Sequence, residues 1–406
     1  MRRICIIRQG FYPWDPRLQR EVRALLVAGH RVDVLCLRGE GERRLERDGG
    51  LTVFRLPPAH RRGSVIRYLY EYAAFFVTVF LLVSVLQVVR RYRVVQVCTI
   101  PDALVFASLV PRLLGAKIVL DLYEAMPEFL ASRFKTGLEH PAVRLLGRLE
   151  RRSIAFAALA VTCTEQMRQA FIGRGAPPDK IAVVMNAANE AVFAAERVGT
   201  ATRDADDGEF VLISHGTLEE RYGLDTIIRA VALLRHDLPD LRLRVYGNGA
   251  YRSELLRLTA DLQLERQVWF SDGFVPIAEL VEAIASADAG VVAIKRDPFR
   301  DLSHCNKMFD FIAMRKPAIV SRTVSVEAYF DDDCFELFAS DDAPELARAI
   351  RRLHDDPARR QALVEHVSRV SEPYRWVHQE RSYRSLIEGL LRGPTQLEAG
   401  TERRAA

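Results

Sequence analysis

A chain of 406 residues is too long for one ordinary hydrophobic core and suits two domains of about 200 residues each. Its 49% apolar and 27% charged residues exclude a disordered or fibrous protein, and six scattered cysteines with no C-x-x-C pair exclude a disulfide scaffold and fit a reducing cytoplasm. The net charge of +5 conceals an imbalance, since residues 1–185 hold 29 Lys/Arg against 16 Asp/Glu and residues 186–406 hold 29 against 37.

In chain order, Met1–Arg8 reads straight into a strand, so no secretory leader is expected. The run ICIIR is followed by an amphipathic helix over Arg17–Ala28, which Gly29 is placed to end, and by VDVLCL. Ala73–Val89 is an uncharged run of 17 residues, at the lower limit of what spans a bilayer. A strand pattern follows at once, so a buried or interfacial helix is expected there. VVQVCT, KIVLDL, ALAVTC and IAVVM are short, β-branched and apolar on both faces, as strands of a buried parallel sheet are. Strands alternating with helices predict a doubly wound first domain over residues 1–186.

The rhythm stops over residues 187–208, which read as a linker. It restarts with EFVLISHG, LRLRVYGNG, VWFSDGF, ADAGVVAI and KPAIVS, a second doubly wound domain over 209–373. Residues 374–392 form a helix whose Trp376, Tyr383, Leu386 and Leu390 give an apolar stripe needing a partner. The polar tail 393–406 is expected to be disordered.

Chemistry concentrates at strand-to-helix turns of the second half, where ligands of such sheets bind. ISHGTLEERYGLDTII carries Gly216, Thr217 and Arg221. VYGNG carries Gly247 and Gly249, which let the backbone turn sharply. VWFSDGFVP places Phe274 and Val275 where backbone amides can lie along a base. RDPFRDLSHCNKMFDFIAMRKPAIVS feeds a polar loop with His304 into a helix starting near Asn306. Free N–H groups at a helix start bind anions, and Lys307 adds a full charge in the first turn. Asp310 lies three residues on, on the same face. A diphosphate suits the amides and the lysine, and a ribose diol suits the carboxylate. Asp331–Asp333 reads as a solvated turn with no His or Glu around it, so neither a metal site nor a cofactor is expected.

Taken together and in this order, these segments resemble the donor domain of family-4 retaining glycosyltransferases of GT-B fold. YPWDPRLQREVRALLVAGHRVDVL, DLYEAMPE, VTCTEQMRQAF and KIAVVMNAANEAVF resemble that family's first domain, so the resemblance covers about residues 1–390. It implies two Rossmann-like domains facing across a cleft, an acceptor domain followed by a nucleotide-sugar domain, and a last helix returning to the first domain. It implies that Arg221 and Lys307 grip the donor diphosphate and stabilise the leaving charge without a metal. Tyr222 stands where a lysine commonly follows Arg221. Asp310 takes the place of the second glutamate of the family's Glu-x7-Glu motif, at the ribose, and Leu302 stands in the first glutamate's slot, with Asp301, Ser303 or His304 as stand-ins. Gly10, Asp15, Arg17, Tyr123 and Glu124 fall on the acceptor side, with Tyr123 where the family has a histidine.

The implied activity is hexosyl transfer from a nucleotide-diphosphate sugar, with retention, to a lipid-linked or polysaccharide precursor. The basic first half suits an anionic membrane surface or lipid-phosphate acceptor. Nucleic acid is not expected, because no helix-turn-helix, RNP-like run or zinc finger accompanies the charge. A peripheral position on the cytoplasmic face follows. The rivals are a sugar-nucleotide epimerase of the same fold and a non-catalytic two-lobed binding protein. The basic face and long apolar helix serve no purpose in the first, and the convergence of Arg221 and Lys307 none in the second.

Overall fold

A computed structural model describes residues 1–57, 65–195 and 208–392. Most of the linker and the tail 393–406 lie outside these residues, as do Arg61 and Arg62. The chain divides into two units, Met1–Met185 joined by Val377–Ala406, and Asn186–Trp376.

The first unit is built on an eight-stranded sheet. Its strands are β1 (Arg3–Phe11), β2 (Arg31–Leu37), β3 (Leu45–Asp48), β4 (Leu51–Leu56), β5 (Val94–Cys98), β6 (Lys117–Leu122), β7 (Leu159–Thr162) and β8 (Ile181–Val183). Their order is β3-β4-β2-β1-β5-β6-β7-β8, parallel except for the β3–β4 hairpin. Helices α1 (Pro16–Val27), α2 (Val65–Arg90), α3 (Leu109–Leu113), α4 (Met126–Phe134), α5 (Pro141–Phe156) and α6 (Glu165–Gly173) cover it. The hairpin has no counterpart in the sequence pattern. β3 (LERD) is exposed throughout and charged at three of its four positions, so neither propensity nor alternation marks it, and only the Gly49–Gly50 pair signals the turn.

Helix α2 has two unlike faces. Glu71, Phe75, Val79, Val83 and Gln87 are buried at every fourth position, so one stripe packs on the unit. Val77, Leu81, Val85, Val88 and Val89 are exposed on the other side. The stretch Tyr70–Arg90 is long and apolar enough to cross a membrane, yet its buried stripe belongs to the protein core.

The second unit holds β9 (Phe210–His215), β10 (Leu241–Tyr246), β11 (Val268–Phe270), β12 (Ala289–Val292), β13 (Ala318–Ser321) and β14 (Glu336–Phe338). All are parallel in the order β11-β10-β9-β12-β13-β14. Its helices are α7 (Leu224–Leu234), α8 (Arg252–Asp261), α9 (Ile277–Ser286), α10 (Asn306–Ala313), α11 (Val324–Glu327), α12 (Ala343–Asp355) and α13 (Pro357–Val370). The order reverses between β9 and β12, which is where sheets of this kind bind ligands, beyond the strands' carboxyl ends.

The last helix, α14 (Trp376–Arg392), belongs to the first unit, burying Tyr383 and Ile387 one turn apart. The Tyr383 hydroxyl donates to Gln96 Oε1 at 2.7 Å. Gln96 Nε2 donates to Glu21 at 2.7 Å and to Asp121 at 3.2 Å, and Arg17 bridges both carboxylates, at 3.2 Å to Glu21 and 2.9 Å to Asp121. Two carboxylates buried together are stable only with such a cation and such donors. Burial, reinforced by Asp121, holds the Glu21 carboxyl well above the usual carboxylate range.

Replacing Tyr383 by Phe leaves Gln96 Oε1 buried and unsatisfied, at a cost of about 1–3 kcal/mol. Urea unfolding of Tyr383→Phe should therefore show the first unit's transition moved to lower denaturant, and an unchanged midpoint would show the bond to be without effect.

Candidate functional site

Three loops meet at the β9/β12 switch point because their backbones approach more closely than most side chains permit. Gly216 N donates to Tyr246 O at 2.8 Å, and Leu218 N to Asn248 O at 2.9 Å. A Cβ on Gly247 would stand 1.9 Å from Gly216 O, and one on Gly249 2.2 Å from Leu218 O, so these two positions demand glycine. The loop after β12 is tied in by Lys295 N, which donates to Arg221 O at 3.0 Å. Buried Ser271 pins the remaining turn, accepting from Gly247 N at 3.0 Å and donating to Gly273 O at 2.6 Å.

Helix α10 begins at this junction. Among the described residues Cys305 at its N-cap makes no side-chain capping bond, and Met308 N donates back to Cys305 O at 3.2 Å, so the amides of Asn306 and Lys307 open the helix with the positive end of its dipole behind them. Met308, Phe309 and Phe311 anchor its inner face. That leaves half-buried Lys307 lying across Gly216, where a Cβ would stand 2.9 Å from Lys307 Cε. Burial pulls the lysine pKa below its ordinary value, with the charge of Arg300 acting in the same sense and Asp310 opposing it.

Tyr222 is the second element of the site. Lys307 Nζ sits 4.3 Å from the centre of its ring, and the guanidinium carbons of Arg221 and Arg300 sit at 5.5 and 5.1 Å. One electron-rich ring thus faces three cations, so the position that reads from sequence as a missing charge collects charges instead. Arg221 also pairs with Glu219 at 2.6 Å.

His215 is not singled out by the sequence. It ends β9, is buried and stands edge-on to Phe311. Its Nε2 has no hydrogen-bond partner among the described residues and lies 3.8 Å from Asp310 Oδ2. Burial, with the Lys307 charge, lowers its pKa to about 3, so the imidazole beside Asp310 is neutral at physiological pH.

The remaining expected donor residues divide. Thr217 and Asn306 are exposed and Val275 is half-buried, with Phe274 67% exposed at the turn after β11. His304 turns inward, with Nε2 2.9 Å from Ser325 O and its ring among Phe309, Tyr329 and Phe330. Burial lowers its pKa to about 4. It is a packing histidine, which corrects its expected place at the donor. Asp301 pairs with Arg296 at 2.8 Å, and the Ser303 hydroxyl donates to Phe299 O, so each stand-in for the first glutamate is already engaged.

In the first unit, the expected acceptor residues gather near the carboxyl ends of β1 and β6. Gly10 lies in β1, and Tyr123 and half-buried Glu124 directly follow β6. Asp15 caps α1, accepting from Arg17 N and Leu18 N, and pairs with Arg8 at 3.0 Å. Arg17 is buried in the Glu21–Asp121 network, so it serves the core rather than a ligand. The Tyr123 ring lies under Arg8 at 4.3 Å, and its hydroxyl is buried without a hydrogen-bond partner among the described residues. The acidic turn of the second unit also needs a correction, because His366 Nε2 stands 3.3 Å from Asp331. Arg322 and Arg359 pair with Asp332 and Asp333.

Two units built on largely parallel sheets, one with a helix starting at its switch point, define a GT-B architecture. Residues 15–187 match the glycosyl transferase 4-like domain and residues 209–356 the glycosyl transferases group 1 domain, and the chain belongs to this family of GT-B glycosyltransferases. It is 32% identical to the lipopolysaccharide core biosynthesis glycosyltransferase LpsD of Rhizobium meliloti over 156 residues, 38% of this chain and 42% of that one. Matches to the curated relatives span between 20% and 58% of those proteins' own lengths. Sucrose-phosphate synthase of Thermosynechococcus elongatus superposes with a TM-score of 0.77 at 18% identity, over 96% of this chain and 99% of that one. Anabaena HepE in complex with UDP gives 0.71 at 15% identity, over 96% and 100%. At such identities the likeness is one of fold.

The two neutral histidines set an acid limit. A histidine whose folded-state pKa lies below its ordinary 6.5 binds protons more readily when unfolded, so stability is complete above about pH 6.5 and falls as pH drops towards the folded-state values. By pH 4.5 each should cost the second unit about 2–3 kcal/mol. Thermal melts at pH 7 and 4.5 should show this loss, and His304→Gln should lose distinctly less than the wild type between the same two pH values.

Proposed function

We propose that the chain transfers a hexosyl group from a nucleoside-diphosphate sugar to a lipid-linked or polysaccharide-precursor acceptor, with retention of anomeric configuration. The observation that carries this reading is the convergence of Arg221, Lys307 and the uncapped start of α10 at the β9/β12 switch point. Departure of a nucleoside diphosphate builds negative charge on its phosphate oxygens. Cations and amides already fixed there stabilise that charge without reorganising as it develops. In this reading the protein's own cations do that work rather than a metal. Asp310 holds the ribose, and neutral His215 beside it keeps that carboxylate from facing a competing buried cation. Retention follows if the leaving phosphate accepts the acceptor's proton on the face it vacates. HepE, whose fold this chain shares, was crystallised with UDP, which makes uridine diphosphate sugars the first donors to try.

Thermal-shift screening of nucleoside-diphosphate sugars should identify a stabilising donor, and a transfer assay then tests the site. Arg221→Ala and Lys307→Ala should each slow transfer by about 100-fold or more while keeping the wild-type circular dichroism. Near-normal turnover in both would overturn the assignment. Asp310→Asn should mainly weaken donor affinity, because a ribose contact is made equally in ground and transition states.

The acceptor reading rests on the first unit. The exposed face of α2, with Leu109, Leu113 and Leu114 exposed on and beside neighbouring α3, offers an apolar strip to lipid. Arg67, Arg91 and Arg93 are exposed around it. Each arginine near an anionic surface adds about 1 kcal/mol, and salt screens that attraction. In this reading the protein works on the cytoplasmic face of the cell membrane, lying on it rather than through it. High-salt washing of membranes should release most of the protein, whereas release by detergent alone would point to a spanning α2.

A further inference from the structure

Of the three cations around Tyr222, Arg300 has no task in the site described so far. It lies in the loop after β12 and is only 7% exposed. Among the described residues no carboxylate pairs with it, and its Nε is buried without a hydrogen-bond partner. Its neighbours are two ring faces, Tyr222 at 5.1 Å and Phe299 at 5.2 Å. A guanidinium does not lose its proton in a protein, so this is a permanent charge, out of water and without an anion. Such a charge is costly unless something compensates it, and ring faces compensate in part. Placing it beside Lys307 and Arg221 adds repulsion that a folded chain gains nothing from on its own. The arrangement becomes favourable when a multiply charged anion enters among the three.

We infer that Arg300 is a third ligand of the donor's diphosphate, its planar fork taking phosphate oxygens while Tyr222 holds Arg221, Arg300 and Lys307 around one ring. The inference rests on the donor reading above and deepens it. An arginine suits this position better than a lysine, because its donors are fixed in a plane that matches two oxygens at once and its flat face stacks on an aromatic ring. The backbone supplies the placement. Arg300 N and Phe299 N both donate to Asp297 Oδ1 at 2.8 Å, and Arg300 O accepts from the buried Ser325 hydroxyl at 3.3 Å. The side chain is thus delivered from a braced loop.

Isothermal titration of the intact chain with UDP and with uridine tests this. Arg300→Gln should weaken UDP binding about 10- to 100-fold, the range for a hydrogen bond to a charged group, and leave uridine unchanged. Arg300→Lys, which keeps the charge and loses the fork, should fall between. Equal UDP affinities in wild type and Arg300→Gln would overturn the inference while leaving the donor reading intact. Equal losses for UDP and uridine would show a residue that only shapes the pocket, and would overturn it too. A wild-type chain that binds none of UDP, GDP, ADP or TDP would instead remove the donor reading itself. Should Arg300→Gln fail to fold, Arg300→Lys decides, since unchanged UDP affinity there would reject the fork.

Discussion

Backbone meets backbone at the carboxyl edge of the second sheet, and the site follows from that contact. Gly247 and Gly249 let the loop after β10 lie against Gly216 and Leu218, and Lys295 N closes the gap from the loop after β12 by bonding to Arg221 O. Only when these chains touch does α10 start where its free amides face the switch point. Only then does Lys307 reach across Gly216 to the Tyr222 ring. A side chain at Gly247 would separate the loops and break the amide cradle without touching a single charged group.

The charges collected there have a cost that the rest of the unit offsets. Lys307 is held below its ordinary pKa, chiefly by burial and further by Arg300, and His215 stays neutral a short distance away. A neutral imidazole matters because a fourth positive charge beside Asp310 would compete with any ligand for that carboxylate. The hydrophobic packing of Met308, Phe309 and Phe311 beneath α10 fixes the helix that carries both Lys307 and Asp310. Rigidity in the apolar layer is therefore what allows unpaired charge in the polar one.

Much of this is legible in the sequence because buried parallel strands leave a distinctive pattern. Runs such as KIVLDL and VVQVCT can hardly be anything else, and the order of turns gives the position of Lys307 and Asp310. β3 escapes because LERD is exposed and mostly charged, and β14 because Glu336–Phe338 opens on a glutamate and lacks the β-branched residues that mark the equally short β8 and β11. Arg300 escapes for a different reason. One arginine among 58 basic residues has no spacing to distinguish it, and its importance arises only when its loop folds it over Tyr222, which belongs to another. His304 misleads in the opposite sense, because a polar residue ahead of a helix start looks like a ligand until its ring is seen among three aromatics. The stripe expected on α14 is close, with Tyr383 correct and Ile387, rather than Leu386 or Leu390, as its buried companion.

The way the chain threads its two units has a consequence for how it is made. The second unit is inserted between the body of the first and the helix that completes it, and Tyr383 meets Gln96 across 287 residues. A ribosome adding about 5–20 residues per second takes roughly 15–60 s to cover that distance. During that interval the second unit, continuous in the chain, emerges whole and is free to fold, while the first holds Arg17, Glu21 and Asp121 without the tyrosine that closes their network. Nascent chains therefore spend their longest exposure with one lobe finished and the other missing its final helix, alongside an apolar α2 already synthesised. Chaperone demand falls in that window.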